Sequence, residues 1–370
     1  MSKKNEAKVR EPLFHIAKRT SMVWWKAWLI RGIAIVASLI VCALIIVLLT
    51  KQNPFEVYGA MFQGSFGTKR KVWILLQNMA ILLCISLAVT PAFKMHFWNL
   101  GAEGQVLIGG LASVACMFYI GNRLPNVLLI LIMLVASIGG GIIWGIIPAY
   151  FKAKWNTNES LFTLMMNYIA TQLVSFAIMV WVPSGSSVMG IVNADSKAGW
   201  IPDLFGQKYL FNILVVTVLT VLMFVYLKYS KHGYELSVVG ESENTARYIG
   251  IDVKKVIIRT MVLSGAVCGL AGFLLVSGTN HTISKTLAGG NGFTAIMVSW
   301  LAKFNPILMV VTSFLIVFLQ RGAGEIATNF RLNESVADIL TGVIIFFIIG
   351  CEFFINYEIK STRAKKKEVK

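Results

Sequence analysis

Long apolar runs separated by short polar stretches set the pattern of this chain. They fill residues 29–50, 72–90, 126–150, 160–182, 209–227, 256–278, 306–320 and 335–357, with a Gly-rich run at 99–120. A bilayer core about 30 Å thick takes roughly 20 apolar residues per helical crossing, so each run is predicted to be a transmembrane helix. A further apolar stretch at 290–302 is too short to cross at about 1.5 Å per residue. It is expected to be a half-helix held inside the protein, where irregular backbone is tolerated. About ten helices result, in an all-α integral membrane protein built as a polytopic helical bundle.

Composition agrees with lipid as the solvent, since 56% of the 370 residues are apolar and 14% charged. The 10 Trp and 23 Phe fit interfacial belts and lipid-facing packing. The net charge of +17 raises nucleic acid as a ligand, but a nucleic-acid binder gathers its Lys and Arg on a folded polar face. Here they flank apolar runs: Lys3, Lys4, Lys8, Arg10, Lys18, Arg19, Lys26 and Arg31 lie around the start of the first, and Lys360, Arg363, Lys365, Lys366, Lys367 and Lys370 follow the last. The positive-inside rule then puts both termini in the cytoplasm and requires an even number of crossings.

Six crossings bring the chain back at residue 227, and the following loop carries Lys228, Lys231, Arg247, Lys254, Lys255 and Arg259, as a cytoplasmic loop should. The expected organisation is a basic cytoplasmic region at 1–28, a transmembrane domain at 29–357 with a cytoplasmic loop at 228–258, and a basic tail at 358–370. The first run is too long for a signal-peptide core and is expected to stay as the first membrane helix. The stretch 183–208, with Asp195, Asp203 and Trp200, should face outward. Spacings such as Gly141 to Gly145 and Gly265 to Gly269 allow close helix approach in lipid, a packing role with no part in transport.

Four segments carry chemistry. Trp98-Asn99-Leu100-Gly101-Ala102-Glu103-Gly104-Gln105 runs straight into an apolar helix. Polar side chains at a membrane helix mouth are costly unless used, and a discontinuous helix there offers freed amides to a polar solute. Asn99 and Gln105 donate and accept hydrogen bonds, and Trp98 can stack on a ring. Equally, Asn99 merely caps a helix while Glu103 reaches water. Thr163, Asn167 and Thr171 share one helix face and should look into the bundle, either onto a wet lumen or as a tie between helices.

The third segment, KTLAGGNGFTAIMVSWLAKFNP at 285–306, sets Gly289, Gly290 and Gly292 around Asn291 and echoes the first, a hint of two broken helices. The fourth, GESENTARYIGID at 240–252, predicts a short helix with Ser242 as N-cap, Glu243 in its first turn and Gly250 just past its end, before Asp252 caps the next membrane helix. Such a helix is a docking peg for a partner or an ordinary solvated connection.

Together, NLGAEGQ at 99–105, MMNYIA at 165–170, the GESENTARYIGID loop and GGNGFTAI followed by Asn305-Pro306 resemble the permease subunits of ABC importers for ribose-type sugars, branched-chain amino acids and nucleosides, and most of all the nucleoside (guanosine-type) permeases. The resemblance covers residues 73–357. It implies the ABC importer permease fold, a second permease chain as partner, and a coupling helix of Ser242, Glu243, Asn244, Thr245, Ala246, Arg247 and Tyr248 seated on a separate ATPase subunit. It also implies an extracytoplasmic substrate-binding lipoprotein that delivers the small polar solute, and a place in the bacterial cytoplasmic membrane. The solute path would be formed by Trp98, Asn99, Glu103, Gln105, Asn167, Asn291 and Phe293. Larger or charged residues, Trp300, Lys303 and Phe304, stand where those permeases read small and apolar.

No catalytic role is expected. The chain has no GxxxxGK[ST] phosphate loop, so it binds no cofactor, and ATP and Mg would belong to the partner ATPase. His15, His96, His232 and His281 lie far apart, mostly in loops, and read as solvated or interfacial rather than as metal ligands. Cys42, Cys84, Cys116, Cys268 and Cys351 sit inside apolar runs as small fillers. An ion-coupled secondary transporter, the competing class, would need paired buried carboxylates. Glu103, Asp338 and Glu352 are the candidates.

Overall fold

A computed structural model describes residues 14–19, 22–51, 53–182, 189–331 and 334–361. The basic residues before position 14 and after 361, and residues 183–188 of the outward stretch, lie outside the described residues. In chain order the elements are β1 (Phe14–Lys18), α1 (Trp24–Thr50), α2 (Pro54–Phe66), α3 (Lys69–Lys94), α4 (Ala102–Ile120), α5 (Asn126–Trp155), α6 (Glu159–Trp181) and α7 (Leu210–Tyr229). Then follow α8 (Lys231–Glu241), α9 (Glu243–Tyr248), α10 (Val253–Leu275), a π-helical turn (Val276–Asn280), α11 (Asn291–Leu301), α12 (Pro306–Asn329), α13 (Glu334–Asn356) and β2 (Tyr357–Ser361).

Eight helices among the described residues, α1, α3, α4, α5, α6, α7, α10 with its π turn, and α12, are long and apolar enough to cross a membrane. With α13 and the short α11 they match the helices expected from the apolar runs. Two helices, α2 and α8, have no long apolar run to announce them. The strands β1 and β2, which pair antiparallel with Phe14 opposite Ser361, are likewise unannounced, a short ribbon appended to an all-α protein.

The chain forms two compact units, one of residues 1–64 with 319–370 and one of residues 65–318. In the first, Arg31 of α1 donates from Nε to Glu352 of α13 at 2.9 Å, and the Tyr58 hydroxyl donates to the Leu39 carbonyl. A Cβ on Gly322 would strike Met61, and one on Gly64 would lie 2.5 Å from the Glu325 Cβ. Here α2 packs closely on the part of α12 beyond residue 320, which is helical to Asn329.

In the second unit, α4, α5 and α10 cross at backbone contact. A Cβ on Gly141 would lie 2.9 Å from Gly269 Cα and fall on the Gly265 carbonyl, and one on Gly109 would lie 2.7 Å from Gly269 Cα. Small residues permit this in lipid, where van der Waals contact between helices is the main attraction. The Ser137 hydroxyl reaches the carbonyls of Gly109 and Gly269, at 2.8 and 2.6 Å. These glycines thus have the packing role expected of them.

At one end of this unit, residues 189–208 cover the π turn. Val192 N donates to His281 O at 2.9 Å and Ile201 N to Ser277 O at 3.1 Å. His281 corrects its expected exposure: it is 4% exposed and stacked on Trp200 with ring centroids 3.8 Å apart. The docked loop shields it, a tertiary contact that local polarity does not encode. At the opposite end lie α8 and α9.

From His281 the chain turns back alongside α4, where Leu287 meets Gly110, and reaches α11 beside the α4 mouth. The half-helix then runs along α3, with the Ser299 hydroxyl donating to Ser86 O at 3.0 Å. Its 11 residues reach only about 16 Å, so α11 is a half-helix, with one face packed on the protein and Phe293 and Trp300 on the other exposed.

Candidate functional site

After Lys94 closes α3, His96 adopts φ +60 and the chain stays non-helical until Ala102. A buried unwound stretch leaves amides and carbonyls that must find partners. Three side chains supply them. Asn99, fully buried, accepts from Gly101 N at 3.0 Å and donates to the Ser264 hydroxyl of α10 at 3.0 Å. Thr163 Oγ1 accepts from Leu100 N at 3.1 Å. Asn167 donates to Leu100 O at 2.8 Å and accepts from Gly104 N at 2.8 Å.

Gly101 precedes α4 with no side chain to cap it, so α6 provides the cap through Asn167. Of the two roles open to Asn99 and Asn167, holding the α4 mouth accounts for the hydrogen bonds both of them make. Thr171 turns its hydroxyl to its own helix, at Asn167 O.

Glu103 extends the arrangement. Its carboxylate accepts from Gly290 N at 2.9 Å and from Gly292 N at 2.8 Å, capping the start of α11. A carboxylate suits this place because a helix start presents unpaired amides and the positive end of its dipole. Gly292 must lack a side chain, since a Cβ would lie 2.5 Å from Glu103 N. The two Gly-rich mouths recognised in sequence, with Asn291 as the first residue of α11, are thereby joined. Glu103 is half-buried, so its carboxylate serves these backbone amides while part of it stays open to solvent.

Gln105 is buried with its Oε1 unpartnered, as is Trp144 Nε1. A Cβ on Gly104 would lie 3.2 Å from that Trp144 nitrogen, and one on Gly145 3.3 Å from Gln105 Nε2. Gln105 therefore keeps spare hydrogen-bonding capacity beside the mouth, and Trp144 is the neighbour that sequence did not single out. Trp98, Phe293 and Trp300 are 45%, 45% and 52% exposed. Trp98 rests edge-on to Phe93 at 5.7 Å and tilted against Trp300 at 5.6 Å, and Phe304 meets Trp300 at 6.1 Å.

The predicted peg is present. Ser242 caps α9 by accepting from Thr245 N at 3.2 Å, Gly250 follows it at φ +86, and Asp252 caps α10 by accepting from Lys255 N at 3.3 Å. That hydrogen bond holds the Asp252 carboxyl below its ordinary range. Glu243, Asn244, Thr245, Arg247 and Tyr248 are exposed, with Arg247 paired to Glu243 at 3.0 Å.

Ala246 departs from its expected place on the docking surface. It is fully buried among Leu236, Val239, Val253 and Ile257, because the face of this short helix turned away from the exposed Tyr248 must rest on something. The same apolar cluster includes Met95 and Phe97, and Gly240 lies against the Lys94 carbonyl. The peg thus joins α8, whose Gly240 packs against the turn that leads into the α4 mouth. Arg259 of α10 fixes α8 beside it through Glu235 at 2.5 Å.

No group of three or more His, Cys, Asp or Glu side chains able to hold a metal occurs among the described residues. Glu352 is engaged by Arg31, and the Asp338 side chain lies outside the described residues.

Comparison with known proteins places this geometry. Residues 72–349 match the family model described as branched-chain amino acid transport system / permease component. The chain is 27% identical over 90% of its length to the glucose ABC transporter permease protein TsgB13 of Haloferax volcanii, covering 90% of that protein. It is 28% identical over 92% to the guanosine ABC transporter permease protein NupP of Bacillus subtilis, covering 97% of it. To the nucleoside ABC transporter permease protein NupB of Lactococcus lactis it is 27% identical over 91%, covering 94%. The chain belongs to this permease component family and is a permease subunit of an ABC transporter.

Proposed function

We propose that this chain forms the solute path of an ATP-driven importer of nucleosides in the bacterial cytoplasmic membrane, with both termini and the α8–α9 end cytoplasmic. The observation that carries the proposal is the junction at Glu103: the starts of α4 and α11 meet there, a few residues along the chain from the turn on which α8, carrying the exposed, capped peg, is packed. Such an arrangement suits a path that opens alternately to either side as the peg is pushed. The pushing partner is a separate ATPase subunit, which binds ATP and Mg. A second permease chain completes the path, and an extracytoplasmic binding protein supplies the affinity for solute.

Trp98, Phe293 and Gln105 would touch the solute loosely, while Asn99, Glu103, Asn167 and Asn291 hold the mouths. Simple sugars are the second reading, favoured by the glucose permease among the relatives. An ion-coupled transporter would need free facing carboxylates, whereas Glu103 and Glu352 are both engaged.

Uptake of labelled guanosine by vesicles holding the chain with its co-purifying ATPase tests this. ATP-dependent uptake, competed by other nucleosides and not by glucose or ribose, is expected. Competition by the sugars alone would replace the nucleoside assignment, and uptake by this chain without ATP under an ion gradient would end the importer reading.

A further inference from the structure

At the end of the second unit that carries α8 and α9, a cavity of about 390 Å³ opens between the ends of α3 and α7 and the starts of α8 and α12. Two lysines from different helices converge on it, Lys94 as the last residue of α3 and Lys228 next to the last of α7. Neither has a carboxylate within ion-pair distance among the described residues. Lys228 instead lies 5.3 Å from the Phe224 ring and 5.4 Å from that of Tyr229. Ser237 and Asn305 add polar groups to the wall, and Phe224 and Phe304 make its apolar side.

A lysine at a helix C-terminus is ordinary, since it favours the dipole and reaches for the interface. Two that share one concave site with an apolar wall are a different matter. Both stand at the ends of membrane spans, the depth at which lipid headgroups lie, and basic pockets between transmembrane helices on the cytoplasmic side take anionic headgroups. Above the cavity, Val218, Val221, Leu222 and Val225 of α7 are 48–59% exposed, an apolar stripe along which an acyl chain can lie.

We infer that this cavity binds the phosphate headgroup of an anionic glycerophospholipid, held by Lys94 and Lys228. The site depends on the proposed function only for its leaflet, the cytoplasmic one.

Native mass spectrometry of the full chain in detergent, titrated with dioleoylphosphatidylglycerol, tests the site, with dioleoylphosphatidylcholine and inorganic phosphate as comparison ligands. Phosphatidylglycerol adducts should persist where phosphatidylcholine adducts do not. Lys94→Gln and Lys228→Gln should each weaken them about fivefold, and the pair about 25-fold. Lys94→Arg with Lys228→Arg should retain them, and the single Gln variants decide the matter if the double one does not fold.

Equal retention of both lipids, or unchanged phosphatidylglycerol binding by the Gln variants, overturns the site. Displacement of the lipid by equimolar inorganic phosphate would make it a free-anion site and overturn the lipid assignment. Binding is read without transport. A chain that holds phosphatidylglycerol but carries no solute would therefore sink the importer reading alone, and the reverse result would sink this site alone.

Discussion

Glu103 and Gly292, 189 positions apart in the chain, meet where the carboxylate accepts the glycine amide at 2.8 Å. With the second bond from Gly290, one side chain both neutralises the start of α11 and ties it to α4. Hydrogen bonds to charged groups of this kind contribute about 1.5–3 kcal/mol each, enough to hold the start of the half-helix α11 against that of α4.

The tie and the charge can be separated. Glu103→Gln keeps the size but loses the second acceptor oxygen, and it should cut ATP-dependent uptake at least tenfold while the chain still inserts and assembles. Adding Asn291→Asp restores an acidic group to the first turn of α11 without linking it to α4. If the double variant regains normal uptake, Glu103 serves the helix dipole alone and the tie is unimportant.

The crossing of α5 and α10 makes a sharper stability prediction. Gly141→Ala drives a methyl into the Gly265 carbonyl and should destabilise the chain by about 1–3 kcal/mol, the usual cost of overpacking. Gly139→Ala, two residues away on the same helix with nothing within 4 Å of the added carbon, should be neutral or slightly stabilising. Equal melting temperatures for the two variants would mean that the backbones do not approach as described.

The peg divides into an outer and an inner face. Tyr248, 92% exposed, is free to meet a partner, so Tyr248→Ala should lower ATPase co-purification without changing the melting temperature of the chain alone. Ala246→Glu should do the reverse order of damage, unseating α9 from Leu236 and Val239 before any partner is involved. An Ala246→Glu chain that melts normally would contradict the burial of that residue.

Much of this was legible in sequence because membrane helices announce themselves by length of apolar run, and capping by local spacing. Ser242, Gly250 and Asp252 stand where a short capped helix requires them, and the shortness of 290–302 already implied a half-helix. What stayed hidden depends on long-range contact. The joining of two mouths by Glu103, the shielding of His281 by Trp200 and the inward turn of Ala246 all arise from neighbours remote in the chain. Short polar helices such as α8 carry no long apolar run, and strands β1 and β2 form only because the chain ends meet.

The Glu235–Arg259 pair gives the α8–α10 junction a pH dependence of definite sign. The hydrogen bond from Arg259, with a smaller contribution from His232, holds the Glu235 carboxyl below its ordinary range. An unfolded Glu titrates near about 4.3, so between that value and the lower native one the folded junction binds fewer protons than the opened one. Its stabilisation is then complete above about pH 4.3 and is lost as pH falls through the native value. Hydrogen exchange of the α8 amides, corrected for intrinsic rates, should accelerate over that interval in the native chain. Glu235→Gln should exchange faster at pH 7 and show no such step. A native chain whose α8 protection is unchanged from pH 7 to pH 3 would show that the pair does not hold α8 in place.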